Sequence, residues 1–250
     1  MPTKRSRFLT AHRAVREAIE SGSVIALIIG SSTPTSHELA DLAARNGISI
    51  RRVSRRELAS YHPDARDVVA ELGEHRDEHS HASLSQAISS VARHDSALVL
   101  LLDHVTDPHN YGAVLRTADQ FGVDFVIVPG KRAAPLSAVA IEASAGTAQF
   151  VSRVTVANLA GAVDELKKAN FWVYAAEMGG APAHRLTLSG RVALVMGNEG
   201  KGVSRLVGER SDERISIPRQ GHADSLNVSV ATGVLVYEIR RQQGWLDNVK

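Results

Sequence analysis

The chain contains no cysteine. Structural disulfides, thiolate nucleophiles and cysteine-ligated zinc are excluded with it, and a reducing compartment is consistent with that absence without following from it. No apolar run approaches the roughly 20 residues that a membrane-spanning helix needs. The basic start Lys4, Arg5, Arg7 is not followed by the apolar core of a signal peptide. The expectation is a soluble cytoplasmic protein with no membrane partner. An excess of one charge is lacking too. The 29 basic and 27 acidic residues leave a formal net charge of +2, so bulk charge announces no nucleic-acid partner. No internal repeat or low-complexity tract is visible. What is present is apolar: 44% hydrophobic residues can fill the core of one large α/β unit or two smaller domains.

The first part of the chain alternates helical and strand patterns. Ala11, Ala14, Val15, Ala18 and Ile19 repeat at helical spacing and Gly22 ends the run. Val24–Ile29 is a short β-branched strand. Residues 36–46 form a helix closed by Gly47, and residues 48–53 a second strand. Ser54 and Glu57 have the spacing of a capping box. Arg51, Arg52, Arg55 and Arg56 concentrate positive charge in one short stretch, either a solvated face or a contact for phosphates. These features give a small α/β domain over residues 1–74. Residues 75–83 are read as a linker, because residues 73–81 hold no apolar side chain. His75, His79 and His81 belong to that linker and are not read as metal ligands, since no ligand spacing on a defined element accompanies them.

From residue 84 to residue 250 the α/β alternation is clear. Strands are expected at 97–102, 125–128, 172–176, 192–196 and 215–217. Helices are expected at 84–92, 112–121, 136–145, 159–169 and 226–241. The near-continuous apolar run Ala97–Leu102 is that of a central parallel strand.

Three polar loops follow predicted strands, where ligands bind in open α/β sheets. The first, residues 103–116, carries Asn110 near a helix start and Arg116 beyond it. Alone, Asn110 could be a helix cap and Arg116 a surface ion pair. The second runs Met196-Gly197-Asn198-Glu199-Gly200-Lys201-Gly202. It is neither a Walker loop nor a GxGxxG fingerprint, which argues against nucleotide-dependent oxidoreduction. The third passes from Ile217-Pro218 to Ser225-Leu226-Asn227 and into a helix. Alone, Ser225 could be only a helix cap, whereas Asn227 in an apolar helix start needs hydrogen-bond partners.

Taken together, the motifs Asp107-Pro108-x-Asn110-x-Gly112-Ala113-x-x-Arg116, Met196-Gly197-x-Glu199-Gly200-x-Gly202 and Ile217-Pro218 through Ser225-Leu226-Asn227-Val228-Ser229-Val230-Ala231 resemble those of the SpoU, or TrmH-like, branch of the SPOUT RNA ribose 2'-O-methyltransferases. The resemblance covers residues 84–250, and the first segment looks like the L30e-like RNA-binding domain of some members. It implies a parallel sheet with a C-terminal trefoil knot, a homodimer, and no metal. Its cofactor is S-adenosylmethionine, held near Met196, Gly197, Gly202, Ile217 and Leu226. It places the functional polar residues at Asn110, Arg116, Glu199, Ser225 and Asn227, with Glu199 either functional or an anchor of its loop. The full layout is that of members acting on a guanosine of 23S rRNA. Substrates in tRNA, an rRNA adenosine, or a noncatalytic RNA-binding assembly role are the alternatives. Arg219, His222 and Asp224 depart from the residues common in the family. So does Gln149, at the end of a segment that usually closes on an acidic residue. On this reading Arg51, Arg52, Arg55 and Arg56 contact RNA phosphates. Arg116 either accepts the ribose proton or, more in keeping with a guanidinium, steadies phosphate and the developing oxyanion.

Overall fold

Apolar segments too short for helices, separated by capped helical ones, build two sheets in this chain. The computed structural model describes residues 8–73, 83–131, 133–134, 136–198, 200–221 and 225–248. Among these, two compact units form, one within residues 1–78 and 135–149, the other within 79–134 and 150–250. The expected linker histidines His75, His79 and His81 lie outside the described residues, as do Glu199, His222 and Asp224.

The first unit has strands β1 (Phe8–Leu9), β2 (Val24–Ile29), β3 (Ser49–Arg52) and β4 (Val68–Leu72), in the order β1-β4-β2-β3. β2 and β3 run parallel, whereas β4 pairs antiparallel with both β2 and β1. Helices α1 (His12–Glu20) and α2 (Pro34–Arg45) cover one face. Their Val15, Ile19, Leu39 and Ala43 meet Leu27, Val68 and Ala70 of the sheet in one core. Helix α3 (Arg55–Tyr61) covers the other, with Leu58 against Ile28 and Val69. Ser54 accepts the Glu57 amide at 3.2 Å, the forward half of the expected capping box. β4 went unread in the sequence because its run Val68-Val69-Ala70 is short and lies between polar stretches.

Helix α6 (Ala138–Ala143) joins this same unit although it comes much later in the chain. Ala138 and Ile141 enter its core, Glu142 accepts from Thr10, and Gln149 accepts from Ser21 at 2.7 Å.

In the second unit six parallel strands are ordered β10-β8-β9-β5-β6-β7. They are β5 (Ala97–Leu102), β6 (Phe125–Pro129), β7 (Arg153–Val156), β8 (Trp172–Pro182), β9 (Arg191–Met196) and β10 (Glu213–Ser216). β7 was not expected, and β8 runs six residues beyond its expected end at residue 176. Side chains alternate across the sheet. Ala97, Val99, Leu101, Ala193 and Val195 pack with α4 (Leu84–Ser90), α7 (Leu159–Lys168) and Val207 of α8 (Arg205–Arg210). On the opposite side lie α5 (Pro108–Gln120) and α9 (Val228–Gln242). Buried Arg240 of α9 ties these two together by donating to the Phe121 carbonyl at 2.9 Å and to the Gly122 carbonyl. This is the α/β parallel-sheet class expected from the sequence.

Two helix starts differ from expectation. α5 begins at Pro108, because Asp107 caps it by accepting the His109 and Asn110 amides and proline suits the first turn. Asn110 is therefore inside the helix and is not its cap. α9 begins at Val228, and its cap is Asn227, which accepts the Ser229 amide at 2.9 Å. Ser225 does not cap it. No described helix is long and apolar enough to cross a membrane.

Candidate active site

A parallel sheet brings the C-terminal ends of its strands to one edge, whatever their distance in sequence. The loops after β5, β9 and β10 therefore share that edge.

The loop after β9 is closed by a small antiparallel bridge between Asn198 and Gly202. Asn198 accepts the Gly200 amide at 2.9 Å and donates to the His104 carbonyl at 3.1 Å, linking this loop to the one after β5. Its turn needs Gly202 at φ +65. The loop is so tight that a Cβ on Gly197 would lie 2.2 Å from the Gly202 carbonyl carbon. Asp103, 1% exposed, holds the other end. Its carboxylate accepts the Ser204 amide at 2.7 Å and lies 2.6 Å from Nδ1 of His104.

Between these loops and α9 lies a cleft of about 680 Å³. Met196, Gly197 and Gly202 form one wall, Ile217, Ser225 and Leu226 another. Val228, Ala231 and Leu235 of α9 supply apolar floor, and Ala176–Gly179 of β8 close the side. Basic Lys201, Arg205, Arg214 and Arg219 stand in the lining with Glu177, which pairs with Arg214 at 3.3 Å. Tyr174, behind this wall on β8, is held neutral by burial, which pushes its hydroxyl up to about 12. It donates to the Thr187 carbonyl at 2.9 Å and serves as an anchor.

Six of the residues singled out in the sequence thus line one cleft: Met196, Gly197, Gly202, Ile217, Ser225 and Leu226. Asn227 adjoins it, and its Nδ2 donates to Oδ1 of Asn110 at 2.8 Å, joining the third motif to the first. Arg116 is exposed on α5, about 120° around the helix from Asn110, and makes no hydrogen bond or ion pair among the described residues. Arg51 and Arg52 stand exposed on β3, and Arg55 and Arg56 on the first turn of α3, all in the first unit. Arg51 donates to the Tyr61 hydroxyl at 3.1 Å and lies over its ring. Asp103, His104 and Asn198 went unselected in the sequence. The available signal was an acidic residue ending a run of six buried apolar ones.

The SpoU rRNA Methylase family model matches residues 97–237. An "uncharacterized tRNA/rRNA methyltransferase" of Borreliella burgdorferi is 36% identical over 86% of this chain and 97% of its own length. The Salmonella typhi 23S rRNA (guanosine-2'-O-)-methyltransferase RlmB is 48% identical over 61% of this chain and 63% of its own. In fold, the chain is similar to the SpoU methyltransferase AviRb of Streptomyces viridochromogenes, solved in complex with the cofactor AdoMet. The TM-score is 0.75 at 22% identity, covering 94% of this chain and 89% of that one.

Proposed function

The chain belongs to the SpoU rRNA methylase family, and from that premise we propose that it transfers a methyl group from S-adenosylmethionine to a ribose 2'-hydroxyl of structured RNA, specifically a guanosine of 23S rRNA. The observation that carries this reading is the cleft walled by the second and third motifs, with the Asn227–Asn110 hydrogen bond bringing the first motif beside it.

The residues present suit the cofactor. The volume falls within the roughly 300–1,000 Å³ of small-ligand sites. Its apolar floor of Val228, Ala231 and Leu235 suits a flat base, and irregular backbone at Gly197, Ile217 and Leu226 can meet that base's polar edge. Bound there, S-adenosylmethionine supplies an electrophilic methyl that needs no metal. This chain's task is to hold the ribose oxygen in line with it and to manage the hydroxyl proton. Asn110, fixed by Asn227, is suited to orient the ribose, and Ser225 stands in the same wall. Arg116, exposed and without a partner among the described residues, can fork onto a backbone phosphate and steady charge at the oxygen.

The first unit is assigned RNA capture as an L30e-like domain. Arg55 and Arg56 occupy the first turn of α3, where the helix dipole disfavours cations. That placement is easier to understand if phosphates offset the charge. We assign the exposed apolar stripe Val230, Val234 and Tyr237 of α9 to a homodimer contact, and a trefoil knot to the C-terminal segment.

Transfer of labelled methyl from S-adenosylmethionine to unmodified 23S rRNA, with unmodified tRNA in parallel, tests the reading. Label at a 23S guanosine 2'-oxygen is expected. Label in tRNA alone moves the substrate and keeps the chemistry. Label in neither, with no cofactor binding, overturns the proposal in favour of a noncatalytic RNA binder.

A further inference from the structure

We propose that Arg51, laid against Tyr61 in the first unit, is a stacking surface for an unpaired nucleobase of RNA. The inference rests on the assignment of RNA capture to this unit and narrows it, from any phosphate backbone to RNA that presents a base outside a duplex.

The aromatic residues of the unit point there first. Within residues 1–78 and 135–149 the sequence holds Phe8 and Tyr61 and no other phenylalanine, tyrosine or tryptophan. The main core of the unit is aliphatic throughout. Both rings stand instead on the α3 side of the sheet, partly buried against the small cluster of Ile28, Leu58 and Val69. They meet edge to face, with centroids 5.6 Å apart and planes at 79°, a preferred geometry for aromatic pairs. Phe8 thereby fixes the Tyr61 ring.

Arg51 lies against the same ring. β3 is the outermost strand of its sheet. Alternation along it sends Ile50 toward the core of α1 and α2, and Arg51 to the α3 side. The guanidinium donates to the Tyr61 hydroxyl at 3.1 Å, and its central carbon lies 5.6 Å from the ring centroid. A long exposed side chain ordinarily samples many rotamers, and ordering it on binding costs affinity. Here the tyrosine restrains it beforehand. Arg51 nevertheless stays exposed, so a planar, weakly hydrated cation is presented in a defined place.

Such a plane suits a nucleobase better than a phosphate. Unpaired RNA bases are taken on aromatic rings or on arginine planes, whereas a duplex keeps its bases stacked inside and offers its backbone. Arg52 follows on the strand, and Arg55 and Arg56 open α3, all exposed. These three supply charge for the flanking phosphates. The arginines thus divide their work: Arg51 takes the base, and the others take the backbone that carries it.

Two RNAs separate the roles, an end-labelled hairpin with a bulge of unpaired adenines and the same hairpin with those positions paired. Binding of the full chain is followed by fluorescence anisotropy over a salt series. Arg51→Lys keeps the charge and loses the plane. Its Kd for the bulged hairpin is expected to rise at least about five-fold, the low end of what stacking on a base contributes. Its Kd for the paired hairpin should stay within about two-fold, with the salt slope unchanged. Tyr61→Phe keeps the ring and removes the hydroxyl that restrains the guanidinium, so it should weaken binding of the bulged hairpin alone, by about three-fold. Arg52→Ala/Arg55→Ala should weaken both hairpins and flatten the slope. An Arg51→Lys protein that binds the bulged hairpin as wild type does, or that loses equally on both hairpins, overturns the stacking assignment. If the slope still falls in Arg52→Ala/Arg55→Ala, RNA capture by this unit stands without it. No change in any of the three variants overturns both.

Discussion

Two of the interactions that Asn227 makes at the start of α9 can be divided by substitution. Its Oδ1 accepts the Ser229 amide at 2.9 Å as the helix cap, and its Nδ2 donates to Asn110 at 2.8 Å. Asn227→Ala removes both. Loss of an asparagine cap costs about 1 kcal/mol, and an exposed side-chain hydrogen bond adds about 0.5 kcal/mol. In a chain of this size each kcal/mol lowers Tm by about 2–4 °C, so the alanine variant should melt about 3–6 °C lower. Asn227→Ser keeps a good cap and is too short to span to Asn110. It should melt within about 2 °C of wild type. If the bridge positions the ribose, both variants lose methyl transfer alike, about 10- to 100-fold, since small misplacements near reacting atoms are costly. Circular-dichroism melts and single-turnover transfer to 23S rRNA, run on the same preparations, read the two effects apart. A serine variant with wild-type turnover would refute the reasoning, because it would show that the bond to Asn110 does not position the ribose.

Four further outcomes follow from particular interactions. Gly197→Ala drives a Cβ to 2.2 Å from backbone of the same loop, so calorimetry should find cofactor binding weakened at least about ten-fold in a protein that still folds. Arg240→Ala strips partners from the Phe121 and Gly122 carbonyls and from Asp124. About 3 kcal/mol of stability should go, as when a buried pair loses one member, while the cofactor Kd is unchanged. Glu238 is held down at about 2, first by its hydrogen bond from Arg241. A carboxyl lowered on folding contributes stability that is present above its unfolded value and lost as pH falls. The advantage of wild type over Glu238→Gln should therefore be full above about pH 5 and vanish between pH 4.5 and about 2, as denaturant titrations across that range will show. The double variant Arg52→Ala/Arg55→Ala should bind RNA more weakly and with a shallower salt dependence, the slope falling by about 0.7–0.9 for each phosphate no longer neutralised. Identical slopes would remove the first unit's arginines from the interface.

Much of the fold could be read locally, since burial leaves its mark on short stretches of chain. The apolar runs at Val24–Ile29, Ala97–Leu102 and residues 192–196 foretold strands that the structure places within a residue. β4 and β7 carry too few apolar residues between polar neighbours to stand out. Helix starts were misread by a few residues where caps compete. Asp107 and Pro108 outweighed Gly112 as the start of α5, and Asn227 outweighed Ser225 as the cap of α9.

The sequence by itself determined the α/β class, the positions of the main strands and the order of the three motif-bearing loops, because periodicity, caps and glycine placement act over a few neighbouring residues. Tertiary structure alone decided that Asn227 meets Asn110 across 117 positions, that Asp103 grips both His104 and the backbone of Ser204, and that Ala138 and Ile141 complete the core of the first unit. These are meetings of surfaces brought together by parallel pairing and by core packing. A hydrogen bond reaches only about 3 Å, and nothing in a local pattern states which distant group will stand within that reach.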